Sequence, residues 1–254
     1  MPMLRNTLKE KLAAGKLTRG LWVTLEAPTI TEIAIELGFD WVTIDAEHGH
    51  LDFKAILEHV RATRGTDTTP LVRIAEVQQG LIKRVLDIGA AGIIVPQVTG
   101  PDEVAAAVRF AKYPPQGVRG VGGERATSWS MRLAESTRTA NDQTMVIPLI
   151  ETVAAFQSLD AIMSVPGVDA LFIGPADLSA SAGHLGHWEG PGVADMVLSI
   201  KDHAAARGLA CGVMATSTDN ARARRDQGFR MIGVASDTGL IIRGAQEGLR
   251  AIEG

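Results

Sequence analysis

A single cysteine, Cys211, stands among the 254 residues. That excludes an intrachain disulfide and a paired-cysteine zinc site. Its apolar surroundings, Leu209-Ala-Cys-Gly-Val-Met-Ala215, make it a small buried hydrophobe. A basic block is also missing: 25 Lys and Arg face 29 Asp and Glu, for a net charge of −4. The phosphate-neutralising stripe of a nucleic-acid binder is therefore excluded. The first residues carry charges throughout, with no apolar run of signal-peptide length. No stretch has the roughly 18 uninterrupted apolar residues of a membrane span. A soluble cytoplasmic protein is expected. Lysine is missing from one kind of place. Lys9, Lys11, Lys16, Lys54, Lys83, Lys112 and Lys201 all fall in predicted helices or their flanks. A Schiff-base mechanism needs a desolvated lysine at a site and is disfavoured. A Gly-x-Ser-x-Gly elbow is absent too.

What the chain does have is apolar surface, 46% of residues against 21% charged, enough to fill a large core. The apolar residues fall into eight strand-like runs: Gly20–Leu25, Trp41–Asp45, Pro70–Ile74, Gly92–Pro96, Met145–Glu151, Ala170–Gly174, Ala210–Ala215 and Met231–Ala235. Most are unbroken rather than alternating, as in parallel strands buried on both faces. Helical stretches lie between them: Thr31–Leu37, Phe53–Thr63, Gly80–Ile88, Asp102–Lys112, Val153–Met163, Val193–Arg207, Asp219–Gln227 and Leu240–Ile252. A further helix over 3–15, with Leu4, Leu8 and Leu12 at one-turn spacing, precedes the first strand. It is expected to plug the bottom of the domain. The repeat predicts an α/β fold, a (β/α)8 barrel, as one domain over 1–254. The competing doubly wound sheet needs a Gly-rich turn after an early strand. The nearest candidate, Gly117 to Gly123, follows Tyr113-Pro-Pro instead. The interval from Tyr113 to Thr144 is too long for an ordinary connection. With Arg119, Arg125 and Trp129 it reads as a lid or subunit contact, against a plain surface excursion.

Barrel active sites stand at the carboxyl ends of the strands. There the sequence offers Asp45, Glu47, His48 and His50 after strand 2, Arg73 at strand 3 and Pro96-Gln97 at strand 4. It adds Glu151 at strand 5, Gly174-Pro175-Ala176-Asp177 at strand 6, and Ser236 and Asp237 at strand 8. Glu151 and Asp177 are hard oxygen donors suited to Mg²⁺ or Mn²⁺. The competing role for each is a helix N-cap. His48 suits a general base and His50 a structural role. His184 and His187 belong to a Gly-rich solvated loop or line the site. Arg73, buried, needs an anion: Glu151, or a substrate carboxylate or enolate. Asp87 reads as helix surface.

Six motifs then coincide. Asp45-Ala-Glu-His48-Gly, Val72-Arg73-Ile, Leu86-Asp87-Ile-Gly-Ala-Ala-Gly-Ile-Ile-Val-Pro96, Tyr113-Pro-Pro-Gln-Gly-Val-Arg-Gly120, Ile150-Glu151-Thr and Phe172-Ile-Gly-Pro-Ala-Asp-Leu-Ser179 occur in order. From about Leu4 to the C-terminus the chain resembles the HpcH/HpaI aldolases, class II pyruvate aldolases such as 4-hydroxy-2-oxoheptanedioate aldolase. The resemblance implies a barrel of the phosphoenolpyruvate/pyruvate superfamily. It also implies reversible aldol chemistry between a 2-oxo acid, pyruvate or a substituted pyruvate such as hydroxypyruvate, and an aldehyde. A divalent metal (Mg²⁺, Mn²⁺ or Co²⁺) would be held by Glu151 and Asp177. His48 would be the base within the Asp45 motif, Arg73 would steady the enolate, and Asp87 would raise the basicity of His48. Ala176 and Asp177 would meet the substrate carboxylate region, and Arg73, Leu149, Gly174 and Pro175 would also line the substrate site. A homo-hexamer, a trimer of dimers, is implied, with the last helix packed on a neighbouring subunit. Leu149 departs from the pattern, standing where the heptanedioate branch has glutamine. It is expected to reshape the 2-oxo acid pocket. Two competing functions are a citrate- or malyl-CoA-type lyase, which needs a basic patch for CoA, and a non-catalytic barrel that binds a metal–oxo acid complex.

Overall fold

The computed structural model describes residues 5–253. Eight parallel strands close into a barrel in sequence order. They are β1 (Thr18–Val23), β2 (Trp41–Asp45), β3 (Thr69–Arg73), β4 (Gly92–Val95), β5 (Met145–Ile150), β6 (Ala170–Ile173), β7 (Ala210–Met214) and β8 (Met231–Ser236). Helix α1 (Thr7–Ala13) precedes them. Between strands run α2 (Pro28–Glu36), α3 (Phe53–Ala62), α4 (Gln79–Ile88), α5 (Pro101–Ala111), α6 (Leu133–Gln143), α7 (Val153–Gln157), α8 (Leu159–Met163), α9 (Pro175–Ser181), α10 (Val193–Ala206) and α11 (Thr218–Asp226). Helix α12 (Asp237–Glu253) follows β8. The fold expectation therefore holds, and the open sheet is excluded by the β1–β8 pairing.

Two apolar layers hold the barrel. The outer layer packs strands against helices, for example Ile44, Val72, Ile93 and Ile173 against Ile56, Leu86, Val104 and Val197. The inner layer fills the barrel with Trp22, Trp41, Leu71, Ile94, Ile147, Leu149, Phe172 and Met231. The large rings fit because a neighbouring strand offers glycine. A Cβ on Gly20 would lie 2.1 Å from the Trp41 indole. One on Gly212, in register with Phe172, would lie 2.4 Å from that ring.

The bottom is closed by α1, as expected from its leucines. Asn6 caps it through the Lys9 N–H and ties it to the barrel through the Ala91 carbonyl. Leu8 and Leu12 are buried in the inner layer, contributing roughly 1.5–3 kcal/mol each. Leu4, the first leucine of the predicted helix, lies outside the described residues. Two expectations need correction. The predicted helix Val153–Met163 is two helices, because the Ser158 backbone (φ −98°, ψ 11°) leaves the helical range between them. The long interval after Tyr113 is not all loop. It contains a 3-10 turn at Arg125–Thr127 and the helix α6, none of whose side chains is fully buried.

Candidate active site

The mouth is built from strand ends. In the β2–β3 register Asp45 lies beside Arg73, so the topology itself makes their ion pair. The Arg73 Nε donates to Asp45 Oδ1 at 3.0 Å, and its Nη2 pairs with Oδ2. Its Nη1 lies 2.8 Å from Glu47 Oε2, off the line of a hydrogen bond, so that buried oxygen has no hydrogen-bond donor. The guanidinium sits 5.1 Å from the Trp22 ring centre. Trp22 Nε1 donates to Asp45 Oδ2 at 3.1 Å. Burial opposes the Arg73 charge, but the Asp45 hydrogen bond and the charges of Asp45 and Glu47 outweigh it. The cation is thus held more firmly than a free arginine. Arg73 answers the sequence question with Asp45 and Glu47 as its direct partners, and Glu151 contributes only at longer range.

Glu151 follows β5 by one residue and is 1% exposed. Its Oε1 accepts the Gln97 peptide N–H at 2.6 Å. On its other side a Cβ on Gly174 would lie 2.8 Å from Oε2. Burial pushes its carboxyl up to about 7. The Gln97 N–H opposes the rise, while the charges of Glu47 and Asp177 add to it. Burial raises the Glu47 carboxyl as well. Asp177 sits half-buried in the first turn of α9. The N-cap role fails for both acids: Thr152 caps α7 through the Ala155 N–H, and Gly174 occupies the N-cap of α9.

Glu151, nearly dry, thus lies within charge range of two further carboxylates, Glu47 and Asp177. Such a cluster is costly without a cation among its oxygens. That chemistry fits a hard divalent ion held by Glu151 and Asp177, with Glu47 beside them. Among the described residues no three His, Cys, Asp or Glu side chains make a preformed metal cage. Two carboxylates with room for water and substrate oxygens suit Mg²⁺ or Mn²⁺.

His48 follows Asp45, and its backbone N–H donates to Asp45 Oδ1 at 3.2 Å. Its side chain is exposed. Gly174 and the exposed Ala176 flank Asp177, and Pro175 is buried at the helix start. Leu149 is buried beside Phe172 in the β5–β6 register and belongs to the inner apolar layer.

Asp87 does not join the set within one chain. It lies in the last turn of α4, and helices between parallel strands run back to the barrel bottom. There it pairs with Arg119 at 2.8 Å, so the expected partnership with His48 does not form inside the chain. Asp237 is also spent. Its carboxylate accepts from the Thr24 and Leu25 N–H groups and the Thr24 hydroxyl, anchoring the loop after β1. His50 and His187 are exposed, and His184 packs beside Gly190. Cys211 is buried and its thiol is held protonated.

Sequence reasoning missed Trp22, and it placed Glu47 and Gln97 at strand ends without giving either a role. Period-2 alternation places Glu47 with Asp45 and Trp22 with Gly20, and that signal was available. Gln97 had none, because its backbone rather than its side chain acts. A cavity of about 250 Å³ lies at the opposite end of the barrel, lined by Arg64, Arg125, Arg132 and Glu135 among others.

Residues 18–244 match the HpcH/HpaI aldolase/citrate lyase family. The chain belongs to that family. It is 36% identical over 250 residues to the hydroxypyruvate/pyruvate aldolase of Roseovarius nubinhibens, covering 98% of this chain and 97% of that protein. It is 37% identical over 239 residues to the 4-hydroxy-2-oxovalerate aldolase of Rhodococcus jostii, covering 94% and 92%. Among solved structures, an HpcH/HpaI family protein from Burkholderia cenocepacia superposes with a TM-score of 0.93 at 35% identity, covering 98% of this chain and all of that one. The resemblance drawn from six motifs is thus borne out for family and fold. The chain is an enzyme of the lyase class, an aldolase.

Proposed function

We propose that this chain is a class II aldolase acting on a 2-oxo acid, pyruvate or hydroxypyruvate, and an aldehyde. The observation that carries this reading is the buried Glu151 within charge range of Glu47, Asp177 and the Arg73 guanidinium. Glu151 and Asp177 would hold the divalent metal, an ion general to aldolases of this family. Held there, such an ion would supply Lewis-acid polarisation of the 2-oxo carbonyl, which would make the C3 protons removable.

The protein side chains divide the remaining work. The exposed His48 imidazole, with its backbone fixed by Asp45, takes a C3 proton and in cleavage accepts that of the 4-hydroxyl. Arg73, pre-oriented by Asp45 and Glu47, faces the negative charge of the enolate. Gly174, Pro175 and Ala176 lie where a substrate carboxylate would approach Asp177. Leu149 supplies an apolar wall in place of a polar contact. The enzyme acts as a single barrel domain over 1–254. It works in the cytoplasm as a hexamer, with α12 on a neighbouring subunit. Exposed Leu240, Ile241, Ile242, Leu249 and Ile252 on α12 support that packing. No helix among the described residues is long and apolar enough to cross a membrane.

The CoA-lyase reading is less well supported. The arginine-rich cavity, a natural place for CoA phosphates, lies at the wrong end of the barrel. The non-catalytic reading is disfavoured by the retention of both an exposed imidazole and an oriented guanidinium. The test is chelation followed by reconstitution. EDTA should abolish aldol cleavage, and Mn²⁺, Mg²⁺ or Co²⁺ should restore it, while borohydride with substrate leaves the enzyme active. Activity that survives thorough chelation overturns the proposal. With metal restored, turnover should favour hydroxypyruvate over pyruvate if Leu149 reshapes the pocket.

A further inference from the structure

We propose that Gln97 is a positioning residue whose left-handed backbone aims its peptide N–H at Glu151 and so presets that carboxylate for the cation. The inference rests on Glu151 being a metal ligand, as argued above.

Among the described residues Gln97 is one of four non-glycine residues at positive φ, and the only one of them at a strand end; its φ is 53°. That conformation disfavours every side chain except those of glycine and, less so, asparagine and aspartate. Its own side chain is exposed, so packing does not account for the strain. The backbone does. The Gln97 N–H reaches Glu151 Oε1 at 2.6 Å.

Both flanks of the peptide are fixed. Pro96 and Val98 are buried. The Val98 carbonyl accepts the Thr152 hydroxyl at 3.0 Å, one residue beyond Glu151. With the flanks pinned, a residue that rejects positive φ relaxes by turning the 96–97 peptide, and the N–H leaves Glu151.

The second oxygen has its own constraint. Gly174 faces Oε2 with no side chain, and a Cβ there would crowd it at 2.8 Å. One oxygen is held by a donor and the other packs against the bare glycine, so the carboxylate has one orientation before any cation arrives. Local strain kept in place by fixed surroundings is a recognised means of preorganising a site.

The test is a substitution series at one position, read as Mn²⁺ affinity by isothermal titration calorimetry on the purified full chain. Gln97→Gly and Gln97→Asn keep the N–H and accept positive φ. They should bind Mn²⁺ within about twofold of the parent. Gln97→Val keeps the N–H but resists positive φ, and should bind about tenfold more weakly. Replacing Gln97 by its α-hydroxy acid swaps the N–H for an ester oxygen with little steric change. It should weaken binding similarly, and it decides the matter if the valine variant does not fold. A purely structural role would lower melting temperature across the series without ordering the Mn²⁺ affinities. Folded valine and ester variants that bind as tightly as the parent overturn the inference. A parent that binds no Mn²⁺ overturns the proposed function along with it.

Discussion

Asp45 spreads two oxygens over five donors. Oδ1 accepts from the N–H groups of Glu47 and His48 and from Arg73 Nε, and Oδ2 accepts from Trp22 Nε1 and Arg73 Nη2. One acid therefore fixes the His48 backbone, the guanidinium and the indole together. Glu151 is its opposite, a carboxylate with a single peptide donor and acids for neighbours. This contrast has a pH signature. In the metal-free protein the Glu151 carboxyl titrates near 7 folded and near 4.5 unfolded. A raised carboxyl contributes stability that is fully present below about 4.5 and is lost as pH rises through about 7. Glu151→Gln, which stays neutral, should match the metal-free parent near pH 4.5 and exceed it by ~3 kcal/mol above pH 7. Urea melts in EDTA at several pH values check this; a difference that does not vary with pH would show that burial does not govern Glu151.

At the scale of elements, the barrel depends on glycines that yield to large rings. Gly20→Ala places a methyl 2.1 Å from the Trp41 indole, which is fully buried. Trp41 has little room to retreat, so the expected cost is about 1–3 kcal/mol or more, read by denaturant unfolding. Strand positions were legible because parallel strands buried on both faces are written as unbroken apolar runs. Ile93, Ile94 and Val95 in β4 are an example. The break at Ser158 was not legible, since no glycine or proline marks it. Nor was α6, whose polar sequence has no fully buried face to impose a period. At the site, Glu151, Asp177, Arg73 and Asp45 were readable because an acid or a guanidinium closing an apolar strand has no packing reason to be there. The Gln97 contribution was hidden because backbone conformation leaves no residue-type signature. Asp87 carried two readings, and within one chain it pairs with Arg119. Its link to His48 came from the family resemblance alone, while its helix position pointed to the bottom of the barrel.

For the whole molecule, α12 leaves Leu240, Ile241, Ile242, Leu249 and Ile252 exposed, apolar surface of the kind that marks an interaction site. The plug at the other end acts on kinetics. With Leu8 and Leu12 seated among Trp41 and Met145, and the interior filled by Trp22 and Phe172, the barrel is a cul-de-sac. Traffic has one doorway, so reactants queue. On the proposed function, in which the 2-oxo acid is held at Glu151 and Asp177, it enters before the aldehyde. In cleavage the aldehyde leaves first and the 2-oxo acid last. Product inhibition should record that queue: the 2-oxo acid competitive with the aldol, the aldehyde noncompetitive.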